Sequence, residues 1–324
     1  MHVPHILLQD ETLAKKLITK GFWVYFFTFF IAPIGYLLRM LVSNTLTVAE
    51  VGIFYSVLGL VGLIATYNDL GLTEALQYFI PKYRIKGEKA KVRLTIFASF
   101  VMQMFTGILI FCGLYFGAEW LATIHFHDIA AENILKILAF YFLGYNIIQL
   151  CTTIFTAFQD TFAQGLTSFI QQISNLLFTL IFWGTASLTL TSYAIVWIIG
   201  VAIGIVVGVG MLVIKYRHIF SAEHSEPSLL ALLGRGENAD KSGLNTLKQH
   251  FSYALWVFLV ANVASLLGQV DQQVVVNVLG TEAAGLFSNF QALLMVFILV
   301  VTPLFGLMFP ITTELMSKKD TKKF

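Results

Sequence analysis

Long apolar runs alternate with short polar stretches along the whole chain, at the spacing of membrane-crossing helices. A helix needs about 20 apolar residues to cross a hydrocarbon core about 30 Å thick. Runs of that kind are predicted at 21–43, 51–80, 94–116, 134–158, 163–184, 193–214, 251–278 and 284–315, which makes eight. Residues 6–20 follow another pattern. Leu13 and Leu17 share one helical face with Lys15, Lys16 and Lys20 nearby, as in an amphipathic helix lying on a membrane surface. Pro33 and Pro303 fall inside the first and last spans and are expected to kink both. The expected fold is an all-α polytopic membrane protein, a bundle of about eight transmembrane helices.

Composition agrees. The chain is 57% hydrophobic and only 12% charged, with a mean hydropathy of +0.80, whereas soluble domains carry roughly 25% charged residues. The net charge of +2 gives no reason to expect nucleic acid. Cys112 and Cys151 both lie in apolar segments and read as packing residues, with no disulfide or metal implied. The first 20 residues are too polar for a cleaved signal peptide. Eighteen of the 20 lysines and arginines fall on one side if the N-terminus is cytoplasmic, and only Arg39 and Lys136 remain, near external helix ends. That asymmetry orients the chain in a cell membrane with its N-terminus inside.

A turn repeats. Leu46-Thr47-Val48-Ala49-Glu50-Val51-Gly52-Ile53-Phe54 returns 233 positions later as Leu279-Gly280-Thr281-Glu282-Ala283-Ala284-Gly285-Leu286-Phe287, with Gly52 on Gly285 and Phe54 on Phe287. Six spans precede the echo, so both repeats begin on the same side and are expected to be parallel, related by an axis along the membrane normal. Four regions result: a cytoplasmic N-terminal segment 1–20, an N-lobe of six spans 21–214, a polar cytoplasmic linker 215–250, and 251–324, the start of a C-lobe with two spans and a basic tail. The basic stretch after the second span of each repeat (Lys82 to Arg93, Lys318 to Lys323) leads to the expectation that the chain lacks further C-terminal helices, so that its second lobe is incomplete.

The motif from Leu46 through Glu50, Gly52-Ile53-Phe54 and Ser56, then Asp69-Leu70-Gly71-Leu72 and Tyr78-Phe79-Ile80-Pro81, resembles the first two helices of the polysaccharide-exporting flippases. These share a superfamily with the multidrug-and-toxin extruders and the lipid II flippase. Asp271-Gln272-Gln273 and the turn after Val278 resemble that family's seventh and eighth helices. The resemblance covers most of the chain, which departs from it in having eight spans where members have twelve to fourteen. It implies a V-shaped, two-lobed transporter that moves an undecaprenyl-pyrophosphate-linked oligosaccharide to the external leaflet by alternating access, often coupled to a proton or sodium gradient. The implied partners are that lipid-linked oligosaccharide, the bilayer and other polysaccharide-assembly membrane proteins. No cofactor is implied.

Charged and polar groups inside spans are the candidates for chemistry, because they are expensive there. Asp271 lies roughly 10 Å from the outer end of its span, among Gln269, Gln272, Gln273 and Asn277. Cation coupling, substrate contact and neutralisation by a neighbouring helix are all open to it. Arg39 falls on Gln272 under the 233-residue offset. It suits a pyrophosphate, whose oxygens its planar fork can hold in pairs, and it also suits snorkelling to headgroups. If both face the cavity, Arg39 and Asp271 are expected to pair across it. Asp69 and Glu74 read as interfacial carboxylates or as marks of a helix break at Gly71. The stripe Gly200, Gly204, Gly208 reads as a close-packing face. His125, His127 and Asp128 are metal-like, but no further ligand stands in register.

A cation-coupled exporter of small amphipathic compounds is the main alternative, since Arg39 and Asp271 do not decide between the two. A membrane-embedded biosynthetic enzyme lacks any visible nucleophile–base arrangement, and all seven histidines lie outside the spans. The orientation has a direct test. Asp128→Cys is expected to react with an impermeant maleimide on intact cells, and Lys86→Cys only after permeabilisation; the reverse pattern contradicts the assignment.

Overall fold

In a computed structural model, the structure describes residues 5–220 and 241–317, with side chains at 19, 21–217, 219, 243–259 and 270–294. The described residues form helices α1 (His5–Thr45), α2 (Val48–Asp69), α3 (Leu72–Ile85), α4 (Lys89–Phe116), α5 (Ala118–Ile124), α6 (Ala130–Ala157), α7 (Thr161–Gly184), α8 (Leu190–Phe220) and α9 (Lys241–Ser317), with no strand among them. Six are long and apolar enough to cross a membrane: 21–45 of α1, then α2, α4, α6, α7 and α8 as far as 217. The last two predicted spans fall on α9, which is broken at Gly280 (φ 87°). This is an all-α polytopic membrane protein.

Two details differ from the sequence expectation. Residues 6–20 continue in line with the first span as one helix, which runs through Pro33. The predicted span 51–80 is two helices, because Leu70 and Gly71 both adopt left-handed backbone (φ 49° and 74°). Gly71 is required there, since a Cβ on it would strike the carbonyl of Ala254. α3 then turns Leu72, Ala75, Leu76, Phe79, Ile80 and Tyr83 inward. The linker expected at 215–250 is entered by α8 to Phe220 and by α9 from Lys241.

The turn before α2 follows from its residues. Thr47 Oγ1 accepts the Glu50 N–H at 3.3 Å and Glu50 Oε2 accepts the Thr47 N–H at 2.9 Å. This reciprocal cap satisfies two donors that a helix start leaves over. α6 is the central helix, packed on α2, α3, α4, α5, α7 and α8. The glycine stripe of α8 packs closely on both α6 and α7. Gly200 faces Asn175 of α7, Gly204 faces Ile148 and Gln171, and Gly208 faces Thr167 and Cys151. At the α5 end, Phe126 is fully buried and anchors the loop that follows α5.

α9 packs along α2, and the contact is reciprocal. A Cβ on Gly52 would run into the Thr281 carbonyl, and a Cβ on Gly285 would run into the Val48 carbonyl. Thr281 is the counterpart of Val48 under the same 233-residue offset that relates Gly285 to Gly52. Polar contacts obey the same exchange: Arg39 Nε donates to Asn289 Oδ1 (3.2 Å), and Gln272 Nε2 to Ser56 Oγ (2.8 Å). Gln272 and Asn289 are the counterparts of Arg39 and Ser56. Mutual exchange of contacts is the signature of a two-fold axis, here an internal one between the repeats.

The symmetry is unequal in what it covers. Ile53, Val57 and Val61 of α2 are buried (2%, 0% and 1% exposed), whereas their counterparts Leu286, Phe290 and Leu294 on α9 are exposed (61%, 55% and 43%). Gly52→Ala and Gly285→Ala are each expected to destabilise the detergent-solubilised protein by about 1–3 kcal/mol through overpacking, lowering the unfolding midpoint. Gly62→Ala, with nothing within 4 Å, is expected to leave it unchanged. A Gly52→Ala protein that melts with the wild type contradicts the contact.

Candidate functional site

Between α1, α2, α6, α8 and α9 lies a cavity of about 330 Å³, lined by Arg39, Tyr55, Tyr141, Tyr145, Trp197, Gln272, Ser288 and Gln291 among others. Each side chain arrives by helical spacing. Tyr141 and Tyr145 stand one turn apart on α6, as do Tyr193 and Trp197 on α8, so each pair presents one aromatic face. Phe54 packs behind them, 4.4 Å from Tyr193 and 5.6 Å from Trp197 between ring centroids.

Arg39 is the cation of this cavity. Its guanidinium carbon lies 3.7 Å from the centre of the Tyr55 ring, and the Tyr55 hydroxyl is 3.2 Å from that of Tyr193. Its Nε bonds Asn289, whose Oδ1 also accepts from Ser43 Oγ at 3.0 Å. A desolvated cation–π contact contributes about 2 kcal/mol, which offsets part of the cost of burying the charge. Arg39 Nη2 is buried with no hydrogen-bond partner among the described residues. Gln272, only 4% exposed, donates through Nε2 to Ser56 Oγ and to the Ala284 carbonyl (3.2 Å), and its Oε1 has no such partner. The cavity thus has a held arginine and a glutamine in its lining, among aromatic walls.

A second cavity of about 180 Å³ continues along α2 and shares Gly62, Ala65 and Tyr145 with the first. Asp69, Thr73, Glu74 and Gln149 line it. The helix break at Leu70–Gly71 brings the C-terminal end of α2 and the N-terminal end of α3 together at this place, so their dipole ends of opposite sign meet there. Asp69 is 9% exposed and accepts from Thr73, Oγ1 at 2.6 Å and the backbone N–H at 3.3 Å. Neither Asp69 nor Glu74 has an ion-pair partner among the described residues. The arrangement suits a proton or a small cation.

The structure therefore gathers Arg39 and Gln272 at one cavity and Asp69 and Glu74 at the next. It does not bring Asp271 to Arg39. Asp271 is exposed on α9 and lines neither cavity. Successive helical residues point about 100° apart, so turning Gln272 and Gln273 onto α2 turns Asp271 away. Asn277 is exposed and donates to the His125 carbonyl at 3.2 Å. His125 Nε2 lies 3.0 Å from Gln273 Oε1, so this histidine fastens the α5 loop to α9. No metal-holding cluster exists among the described residues. The side chain of Gln269 lies outside those described.

Sequence reasoning passed over the aromatic wall, although the pairs Tyr141/Tyr145 and Tyr193/Trp197 at a four-residue spacing carried a signal. It also passed over His250, which is fully buried and lies 2.8 Å from Ser99 Oγ across the α3–α4–α9 junction.

No solved structure matches the chain. An uncharacterized membrane protein of Methanocaldococcus jannaschii is 27% identical over 179 residues, which are 52% of this chain and 35% of that relative. The chain thus spans about one third of the curated relative it matches. A family model described as polysaccharide biosynthesis protein matches residues 17–316, nearly the whole length of this helical bundle. The chain belongs to that polysaccharide biosynthesis protein family.

Proposed function

We propose that this protein is a flippase, a transporter and not an enzyme, that carries an undecaprenyl-pyrophosphate-linked oligosaccharide across the cell membrane by alternating access. The observation that carries the reading is the cavity between apolar spans in which Arg39 stands among Tyr55, Tyr141, Tyr145 and Trp197. Phosphate oxygens match a guanidinium edge, and aromatic faces accept the C–H faces of sugar rings. Along α2, the lining residues of the two cavities fall between the Gly52–Gly285 contact and the Gly71–Ala254 contact. Two such contacts opening in turn would give alternating access. The second cavity, with Asp69 and Glu74, is where a coupling proton or sodium ion would act. The N-terminus faces the cytoplasm, and polysaccharide-assembly membrane proteins are its working partners.

The acidic cavity also favours a second reading, a cation-coupled exporter of small amphipathic compounds. One assay separates the two. The full-length protein is reconstituted in vesicles with a fluorescent undecaprenyl-pyrophosphate-linked saccharide, and its transfer between leaflets is followed by quencher accessibility. A hydrogen bond to a charged group contributes about 1.5–3 kcal/mol, so Arg39→Ala is expected to slow transfer about tenfold or more, with Arg39→Lys in between. Normal transfer by Arg39→Ala overturns the assignment of the cavity. Export of a fluorescent cation that Asp69→Asn abolishes, without saccharide transfer by the wild type, establishes the second reading instead.

A further inference from the structure

Outside the central site, α4, α6 and α8 enclose a groove of about 360 Å³ that shares no lining residue with either cavity. α6 is its floor, with Leu150, Cys151 and Ile154 buried (7%, 3% and 2% exposed). α4 and α8 are its walls, and their rims, Phe97, Phe100, Val209 and Val213, are exposed (47%, 40%, 39% and 59%). The groove is open because α4 and α8 meet α6 far more closely than they meet each other. Every lining residue but one is apolar or a cysteine. The exception is Arg93, which closes one end and donates from Nη1 to the Ile219 carbonyl at 3.4 Å.

Among the described residues, Lys86 follows α3, Lys89 and Arg93 lie in the first turns of α4, and Arg217 lies near the end of α8, so basic side chains gather at that end. From Arg93 the groove runs to Phe100, seven residues or about 10 Å along the helix. One leaflet's hydrocarbon is about 15 Å deep, half of the whole core. A groove of this depth with a cationic mouth has the layout of one lipid chain below one anionic headgroup.

We propose that this groove is a binding site for an anionic phospholipid, with an acyl chain between α4 and α8 and the phosphate at Arg93 and Lys89. On the orientation that the basic residues predict, the lipid belongs to the cytoplasmic leaflet. Basic pockets between membrane helices on that side are favourable sites for acidic headgroups. The occupant is a resident lipid rather than transported cargo, because the groove lies on the opposite face of α6 from the cavity. Ile147, Leu150 and Ile154 face the groove, while Tyr141, Tyr145 and Gln149 face inward.

Native mass spectrometry of the full-length protein, released from nanodiscs of equal phosphatidylglycerol and phosphatidylcholine, tests the site. The wild type is expected to keep one phosphatidylglycerol at least about tenfold in preference to phosphatidylcholine. Val213→Trp, which fills the groove from its exposed rim, is expected to lose that adduct, and Val206→Trp, 72% exposed and outside the groove, to keep it. Arg93→Gln is expected to abolish the headgroup preference; if it fails to fold, Lys89→Gln with Lys86→Gln serves the same purpose. Equal retention of the two lipids by the wild type overturns the proposal, as does a Val213→Trp adduct as abundant as that of Val206→Trp. Displacement of phosphatidylglycerol by equimolar undecaprenyl phosphate makes the cargo lipid the occupant and likewise overturns it.

Discussion

The fold depends on the approach of two backbones where α2 and α9 cross. Gly52 and Gly285 each sit against the carbonyl of the other helix, at Thr281 and Val48, and a single methyl group on either would part them. Helices in lipid gain nothing from burying apolar surface against each other, so close packing of small residues is what joins them. Because the contact is reciprocal, it carries Arg39 to Asn289 and Gln272 to Ser56 in register. The cavity wall therefore depends on that glycine pair.

Within that frame, Arg39 is held rather than merely buried. Tyr55 covers one face of the guanidinium, Asn289 takes Nε, and the Tyr55–Tyr193 hydroxyl pair ties α2 to α8. A cation fixed on three helices loses little entropy when an anion arrives, the usual benefit of a preorganised site. Asp69, at the end of α2, and Glu74, in the first turn of α3, lie beyond Ala65, so charges of opposite sign occupy neighbouring cavities. Movement at the Leu70–Gly71 break or at the Gly52–Gly285 contact would be felt at both.

The membrane spans were legible because roughly 20 consecutive apolar residues have few other uses. The echo of Gly52 in Gly285 was legible because close approach tolerates glycine and little else. Arg39 stood out since a charge in a span is costly. Asp271 stood out for the same reason and faces elsewhere. Its neighbours Gln272 and Gln273 take the α2 side, and a sequence does not show which of three adjacent polar residues wins the inward phase. The four-residue spacing of Tyr141/Tyr145 and Tyr193/Trp197 signalled shared faces, but not which way those faces look, since an aromatic residue inside an apolar run looks the same whether it faces lipid, core or cavity. The division of 51–80 into α2 and α3 was half visible in Asp69-Leu70-Gly71, but the need for glycine came from Ala254, far along the chain.

The two repeats meet face to face beside Arg39, and a disulfide measures that contact. With Cys112 and Cys151 replaced by alanine, Ser43→Cys and Asn289→Cys stand where hydrogen-bonded side chains now lie 3.0 Å apart. Rapid, near-complete cross-linking by a mild oxidant in the membrane, reversed by reductant, is expected. Moving the second cysteine to exposed Phe290 is expected to remove the reaction. Failure of the first pair to cross-link, or equal cross-linking of both pairs, would contradict it.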